Sequence, residues 1–203
     1  MCVGRKFLAI AALLLSSAAN AATFLVAINT PQYAGMNATL IFDFVDGGSP
    51  DNTVSVDSFS FNGVLGAAIV IGSVSGQIDS KLVFQDAQFF NEFQQRMTLG
   101  SSLSFIVVST DGSDASSFPD SFSLFLLDEL GASSLVGTSD PTGANTLARL
   151  DLAGAFENYA PDILTIAPLA VPEPASRVLF VLPIAILLIL RKYKIKLLST
   201  EAA

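Results

Sequence analysis

Between residues 22 and 170 the chain carries thirteen Asp and three Glu against Lys81, Arg96 and Arg149, a local net charge of −13, and it has no histidine anywhere. These acids supply most of the domain's reactive side chains. Asp46-Gly47-Gly48-Ser49-Pro50-Asp51-Asn52 and Asp111-Gly112-Ser113-Asp114 gather carboxylate and amide oxygens in short polar runs, a donor set suited to Ca²⁺. Asp, Asn, Gly and Ser also fill ordinary turns, because they bond their own backbone and tolerate positive φ, and the turn reading is the favoured one. Asp128 and Glu129 are adjacent acids of the kind a glycoside hydrolase pairs, although sixteen acids offer many such choices. Trp is absent, so a platform for stacking sugars would fall to Tyr33 and Tyr159.

Other chemistries are excluded by composition. Without histidine there is no Ser-His-Asp or Cys-His machinery and no usual zinc site. Gly63-Val64-Leu65-Gly66 lacks the spacing of a phosphate-cradling loop. The acidic balance repels nucleic acid and anionic lipid, so nucleic acid is not an expected partner. The expectation is a non-enzyme without a cofactor, Ca²⁺ in the Asp-rich runs being the one alternative.

The elements that must position these residues read as strands. Phe24, Val26 and Ile28 alternate with their neighbours, as do Leu40, Phe42 and Phe44, Leu103, Phe105 and Val107, and Phe122, Leu124 and Leu126. Polar turn clusters separate these stretches, including Ser139-Asp140-Pro141-Thr142-Gly143. Within 54–61 the apolar phase slips between Val56 and Phe59, which predicts a β-bulge or bend. Segments 64–74, 81–85, 146–152 and 162–166 are further strand candidates. About nine short strands predict an all-β antiparallel sandwich, jelly-roll-like, with Phe42, Phe44, Phe105, Val107, Phe122 and Leu124 buried. One helix is predicted inside 86–97: Asp86 would cap it, Phe89, Phe90, Phe93 and Met97 would share a face, and Arg96 would sit in its last turn.

The two ends read differently. Arg5 and Lys6 precede an apolar run over 7–15, and Ala19-Asn20-Ala21 gives the small-x-small pattern of a signal peptide cut after Ala21. Export through the Sec machinery and signal peptidase would remove Cys2, the chain's one cysteine, leaving no disulfide. A single domain over 22–168 follows. Near the other end stand Val171, Pro172, Glu173 and Pro174, whose prolines stiffen an extended peptide. Thirteen apolar residues over 178–190 rise about 20 Å as a helix, short for a bilayer core, and a span over about 175–190 with Arg177 snorkelling outward is the expected membrane crossing. Arg191, Lys192, Lys194 and Lys196 then form a basic stop, which orients the tail to the cytoplasm and the acidic domain outside.

That order over 169–203 resembles the PEP-CTERM sorting signal. The resemblance implies an exosortase-type membrane protease as partner, removal of the tail near 171–174, and release to the cell surface or an exopolysaccharide matrix. The stretch Ala22-Thr23-Phe24-Leu25-Val26-Ala27-Ile28-Asn29-Thr30 is also similar to the opening of a group of uncharacterised PEP-CTERM proteins, which implies no activity. The expected function is a non-catalytic exported surface or biofilm-matrix protein. Alternatives are a carbohydrate-binding module or glycoside hydrolase, and, ranked last, an ice-binding protein, since no Thr-x-Thr array is present.

Overall fold

A computed structural model describes residues 22–48, 52–110, 118–152 and 154–170. The β-architecture belongs to the unit Met1–Leu169. Its strands are β1 (Ala22–Asn29), β2 (Asn37–Val45), β3 (Thr53–Phe61), β4 (Val64–Ile71), β5 (Val74–Gln77), β6 (Lys81–Gln85), β7 (Phe90–Thr98), β8 (Ser102–Ser109), β9 (Ser121–Asp128), β10 (Ala148–Asp151), β11 (Phe156–Asn158) and β12 (Leu164–Pro168). A single 3₁₀ turn, Pro31–Tyr33, links β1 to β2.

Alternating strands must cover their apolar face, and here they do so in two six-stranded sheets. The first runs β12-β1-β8-β3-β6-β5 and the second β11-β10-β9-β2-β7-β4. Every pairing is antiparallel. The protein is thus an all-β sandwich, with twelve strands among the described residues where about nine were expected.

All six side chains predicted as core are fully buried. Phenylalanine explains the tightness of the centre. The Phe42 ring lies 5.3 Å from Phe105 edge-on and 5.9 Å from Phe122 stacked, and Phe84 meets Phe122 at 5.6 Å. Each such pair adds about 0.5–1.5 kcal/mol beyond the area it buries.

The phase slip in β3 is a bulge: its register against β8 shifts between Asp57 and Ser60, and Ser58 takes a φ of 55°. The Ser58 N–H donates to Asp57 Oδ1 at 2.5 Å, which holds that left-handed residue. Beyond the bulge, Phe59 stacks on Phe105 from the first sheet.

The helix predicted inside 86–97 is not formed. Residues 86–89 turn, and β7 pairs with β2 over nine positions, from Phe90 against Val45 to Thr98 against Asn37. Residues four apart share a face in a helix and in a strand alike, so Phe93 and Met97 fit both. Phe89 and Phe90 decide the matter: they are 71 % and 38 % exposed, not packed with Phe93. The period of two was hidden because the inward side of β7 alternates the amides Asn91 and Gln95 with Phe93 and Met97. Both amides have work there. Asn91 Nδ2 donates to Phe44 O at 3.3 Å and Gln88 O at 2.8 Å, while its Oδ1 accepts the Ser73 N–H at 2.7 Å. Gln95 Nε2 donates to Gly66 O at 2.9 Å, beside a register shift in β4.

Segment 64–74, expected as one strand, is broken at Gly72. There the chain leaves the edge of the second sheet and begins β5 on the edge of the first. Gly72 has a φ of 75°, and a Cβ would fall 2.4 Å from Phe90 O, so glycine is required.

Candidate functional sites

In and around the Asp-rich run 46–52, the described carboxylates of Asp46, Asp86 and Asp120 act as acceptors for loop backbone. Asp120, 1 % exposed, takes the Gly47 N–H on Oδ1 at 2.7 Å and Asn52 Nδ2 on Oδ2 at 2.9 Å. Asp46 Oδ1 accepts the Gly48 N–H at 2.6 Å, and Asp86 Oδ2 accepts the Asn52 N–H at 2.5 Å. Thr110 donates through Oγ1 to Asn52 Oδ1 at 3.1 Å. Gly47 passes so close to the neighbouring loop that a Cβ would sit 2.2 Å from Phe118 O. Among the described residues no group of three or more His, Cys, Asp or Glu is arranged to hold a metal. Asp51, Asp111 and Asp114 lie outside the described residues.

Asp128 and Glu129 end β9 and enter a turn. Asp128 Oδ1 accepts the Ala132 N–H at 2.9 Å, and that bond holds its carboxyl below the usual range. Glu129 contributes its backbone carbonyl to Thr39 Oγ1 at 3.3 Å. Asp128 is therefore a turn acceptor, the role that Asp140 also plays. Partial burial pushes Asp140 upward, but bonds from Thr142 and Thr146 prevail and bring it to about 2.

The two tyrosines have separate places. Tyr33 sits in the turn after β1 and packs against the core. Tyr159 follows β11 and its hydroxyl donates to Glu157 Oε2. That bond, then burial and the Glu157 charge, push the phenol up to about 12.

The most perturbed carboxyl is one that sequence reasoning passed over. Asp43 of β2 stands opposite Glu92 of β7 on the outer face of the second sheet. Burial, followed by the Glu92 charge and its hydrogen bond, pushes Asp43 up to about 7. Asp43 Oδ1 is buried and has no hydrogen-bond partner among the described residues, an environment that disfavours its charged form. Glu92 Oε1 in turn accepts Gln94 Nε2 at 2.7 Å. In register across the sheet run Glu92, Asp43, Ser123, Arg149 and Glu157, a polar row spanning five strands that ends against Ile71 of β4. Arg149 Nε bonds Asp151 Oδ1 at 2.8 Å at its far end.

A carboxyl that holds its proton near neutrality has the property general acids need. The available signal was Asp43 itself, the one charge in the run Thr39-Leu40-Ile41-Phe42-Asp43-Phe44-Val45. Its partner is not legible, because the spacing over 86–97 also fits a helix.

Val171, Pro172, Glu173, Pro174, Arg191, Lys192, Lys194 and Lys196 lie outside the described residues, as do Ala19 and Ala21. The expected signal peptide and membrane span fall there too. No family model, curated protein or solved structure matches the chain.

Proposed function

We propose that this chain is the precursor of a non-catalytic surface or extracellular-matrix protein, sorted by a PEP-CTERM-type tail. One observation carries the reading: Val171-Pro172-Glu173-Pro174, an apolar run over 178–190 and the basic group Arg191, Lys192, Lys194 and Lys196 follow one another in the last part of the chain. The apolar run holds the precursor in the inner membrane, the basic group keeps its end in the cytoplasm, and the stiff motif is presented outside to an exosortase-type protease. Cleavage near the motif frees the acidic domain for the cell surface or an exopolysaccharide matrix.

The domain is compatible with that role. It is read more finely as a jelly-roll-like sandwich, supported by β1-β8-β3-β6 in one sheet and β2-β7-β4 in the other. Its described loop carboxylates are engaged with backbone N–H groups, which favours structural over catalytic use. A second reading, carbohydrate binding, is favoured by the polar row from Glu92 to Glu157 on an outer sheet face. Titration of the protein with matrix oligosaccharide, followed by NMR shifts at Ser123 and Arg149, separates the two readings.

The sorting proposal is tested by replacing Glu173 and Pro174 with Ala in a host that has exosortase. The apolar run and basic group are untouched, so insertion should persist while processing fails. Equal release of wild type and variant, judged by mature mass and location, would reduce the motif to a linker and remove the proposal.

A further inference from the structure

An open sheet offers unpaired N–H and C=O groups along its edge strands, and proteins blunt these edges by shortness, charge, proline or covering. Three of the four edges here are blunted. β5 is four residues long with Gly76 at a φ of 92°. β11 has three residues, one of them Glu157, and β12 has five and ends in Pro168.

The fourth edge, β4, breaks the pattern. It is eight residues long and exposed at every position, Val64 to 66 % and Val70 to 49 %. It contains no charge and no proline; indeed no charged residue occurs anywhere from 58 to 78. One register shift, between Leu65 and Ala68, twists its start, but Ala68 to Ile71 are regularly paired to β7. Its side chains are apolar on both faces. Ile69 and Ile71 stand opposite Gln94 and Glu92 on the outer face, and Val70 lies over a hollow of about 380 Å³ floored by Phe93 and Ile78.

We propose that β4 is a self-association edge, through which two copies of the chain pair antiparallel about a two-fold axis and continue the second sheet from one copy into the other. The argument for a second copy as the occupant is electrostatic and geometric. With sixteen acids against three cations, two copies repel across most of their surfaces. Like-charge contact is least where each presents the uncharged 58–78 stretch, with Asp79, Glu92 and Glu129 beside the strand rather than on it. An antiparallel pair of identical strands is self-complementary, so each copy supplies both the backbone partners and the apolar cover the other lacks. The inference is independent of the sorting proposal, because it concerns the domain before or after any cleavage.

The test is sedimentation velocity of the full-length chain in non-ionic detergent, at protein concentrations up to about 1 mM. Wild type should show a monomer–dimer equilibrium. Raising ionic strength from about 0.01 M to about 0.15 M shortens the screening length from about 30 to about 8 Å, and should tighten the dimer by relieving acid–acid repulsion. Ile69→Lys places like charges on the two paired strands and should weaken association by at least about tenfold. Ile69 is already 44 % exposed, so the fold should survive, which an unchanged far-UV spectrum and urea midpoint would verify. Leu25→Lys, at a residue 39 % exposed on β1 of the other sheet, should leave the dimer intact. A wild type that stays monomeric throughout overturns the proposal. So does a dimer that survives Ile69→Lys, since its contact would then lie elsewhere, the tail included.

Discussion

β2 and β7 are neighbours of equal length, paired position for position, yet they obey different rules. β2 turns Ala38, Leu40, Phe42 and Phe44 into the core and sets Thr39 and Asp43 on its opposite face. β7 buries Phe93 and Met97 but also Asn91 and Gln95. The difference follows from position in the sheet. β2 is flanked by two regular strands, β7 and β9, whereas β7 carries the irregular β4 on its other side. A bulge and a corner leave backbone groups without ladder partners, and buried amides in β7 supply them. Regularity in one strand thus rests on polar repair in the next.

The largest expected effect tests β2 as the apolar hub. Phe42→Ala removes a ring in contact with Phe84, Phe105 and Phe122, and should destabilise the fold by about 3–5 kcal/mol in urea unfolding. A loss below about 1 kcal/mol would mean that the centre of the sandwich lies elsewhere.

The next effect joins the two strands through Asp43 and Glu92. An Asp raised from 3.8 to about 7 binds its proton more tightly folded than unfolded, so its contribution favours the folded state at low pH. That advantage should fall away as pH rises from about 4 to about 7, by roughly 2–4 kcal/mol before solvent screening at this partly buried site is counted. Asp43→Asn keeps the shape without the ionisation and should flatten this part of the pH–stability curve. An equally steep decline in the variant would assign it to other acids.

Asn91→Ala tests the polar repair. It strands the Ser73 N–H and the carbonyls of Phe44 and Gln88, at a cost of about 1–3 kcal/mol. Amide exchange should quicken first at Ser73; unchanged protection there would deny Asn91 its role at the corner. The smallest effect is the most diagnostic for β7 itself. Phe89→Ser removes a ring 71 % exposed and should change stability by less than about 0.5 kcal/mol. A helix with Phe89 packed beside Phe93 would lose several times more.

These two strands also mark how far the sequence could be read. β2, β8 and β9 alternate without interruption, and their inward residues, from Phe42 to Leu124, are the core. The bulge in β3 was visible because an apolar phase slips at a definite place, between Val56 and Phe59. β7 was illegible because its inward positions mix apolar and amide side chains, leaving a four-residue spacing that helix and strand share. The Asp43–Glu92 pair was out of reach for a second reason: it exists only through a register between residues 49 apart, which no local pattern encodes. The corner at Gly72 belongs to the same class. An uninterrupted apolar stretch such as 64–71 contains nothing to say that the chain will change sheets just beyond it.

The pairing of the first strand has a consequence for the order of events in assembly. β1 lies between β8 and β12, and the Leu169 N–H donates to Thr23 O at 2.8 Å, so its second neighbour arrives only at the far end of the domain. A ribosome delivers residues 22–29 long before 164–168. Until then β1 lacks a flank and the first sheet remains unfinished. Ladders closed between such distant segments form slowly, because the intervening loop must be drawn in before any contact rewards it. The topology therefore delays completion of the native state until nearly the whole domain has emerged.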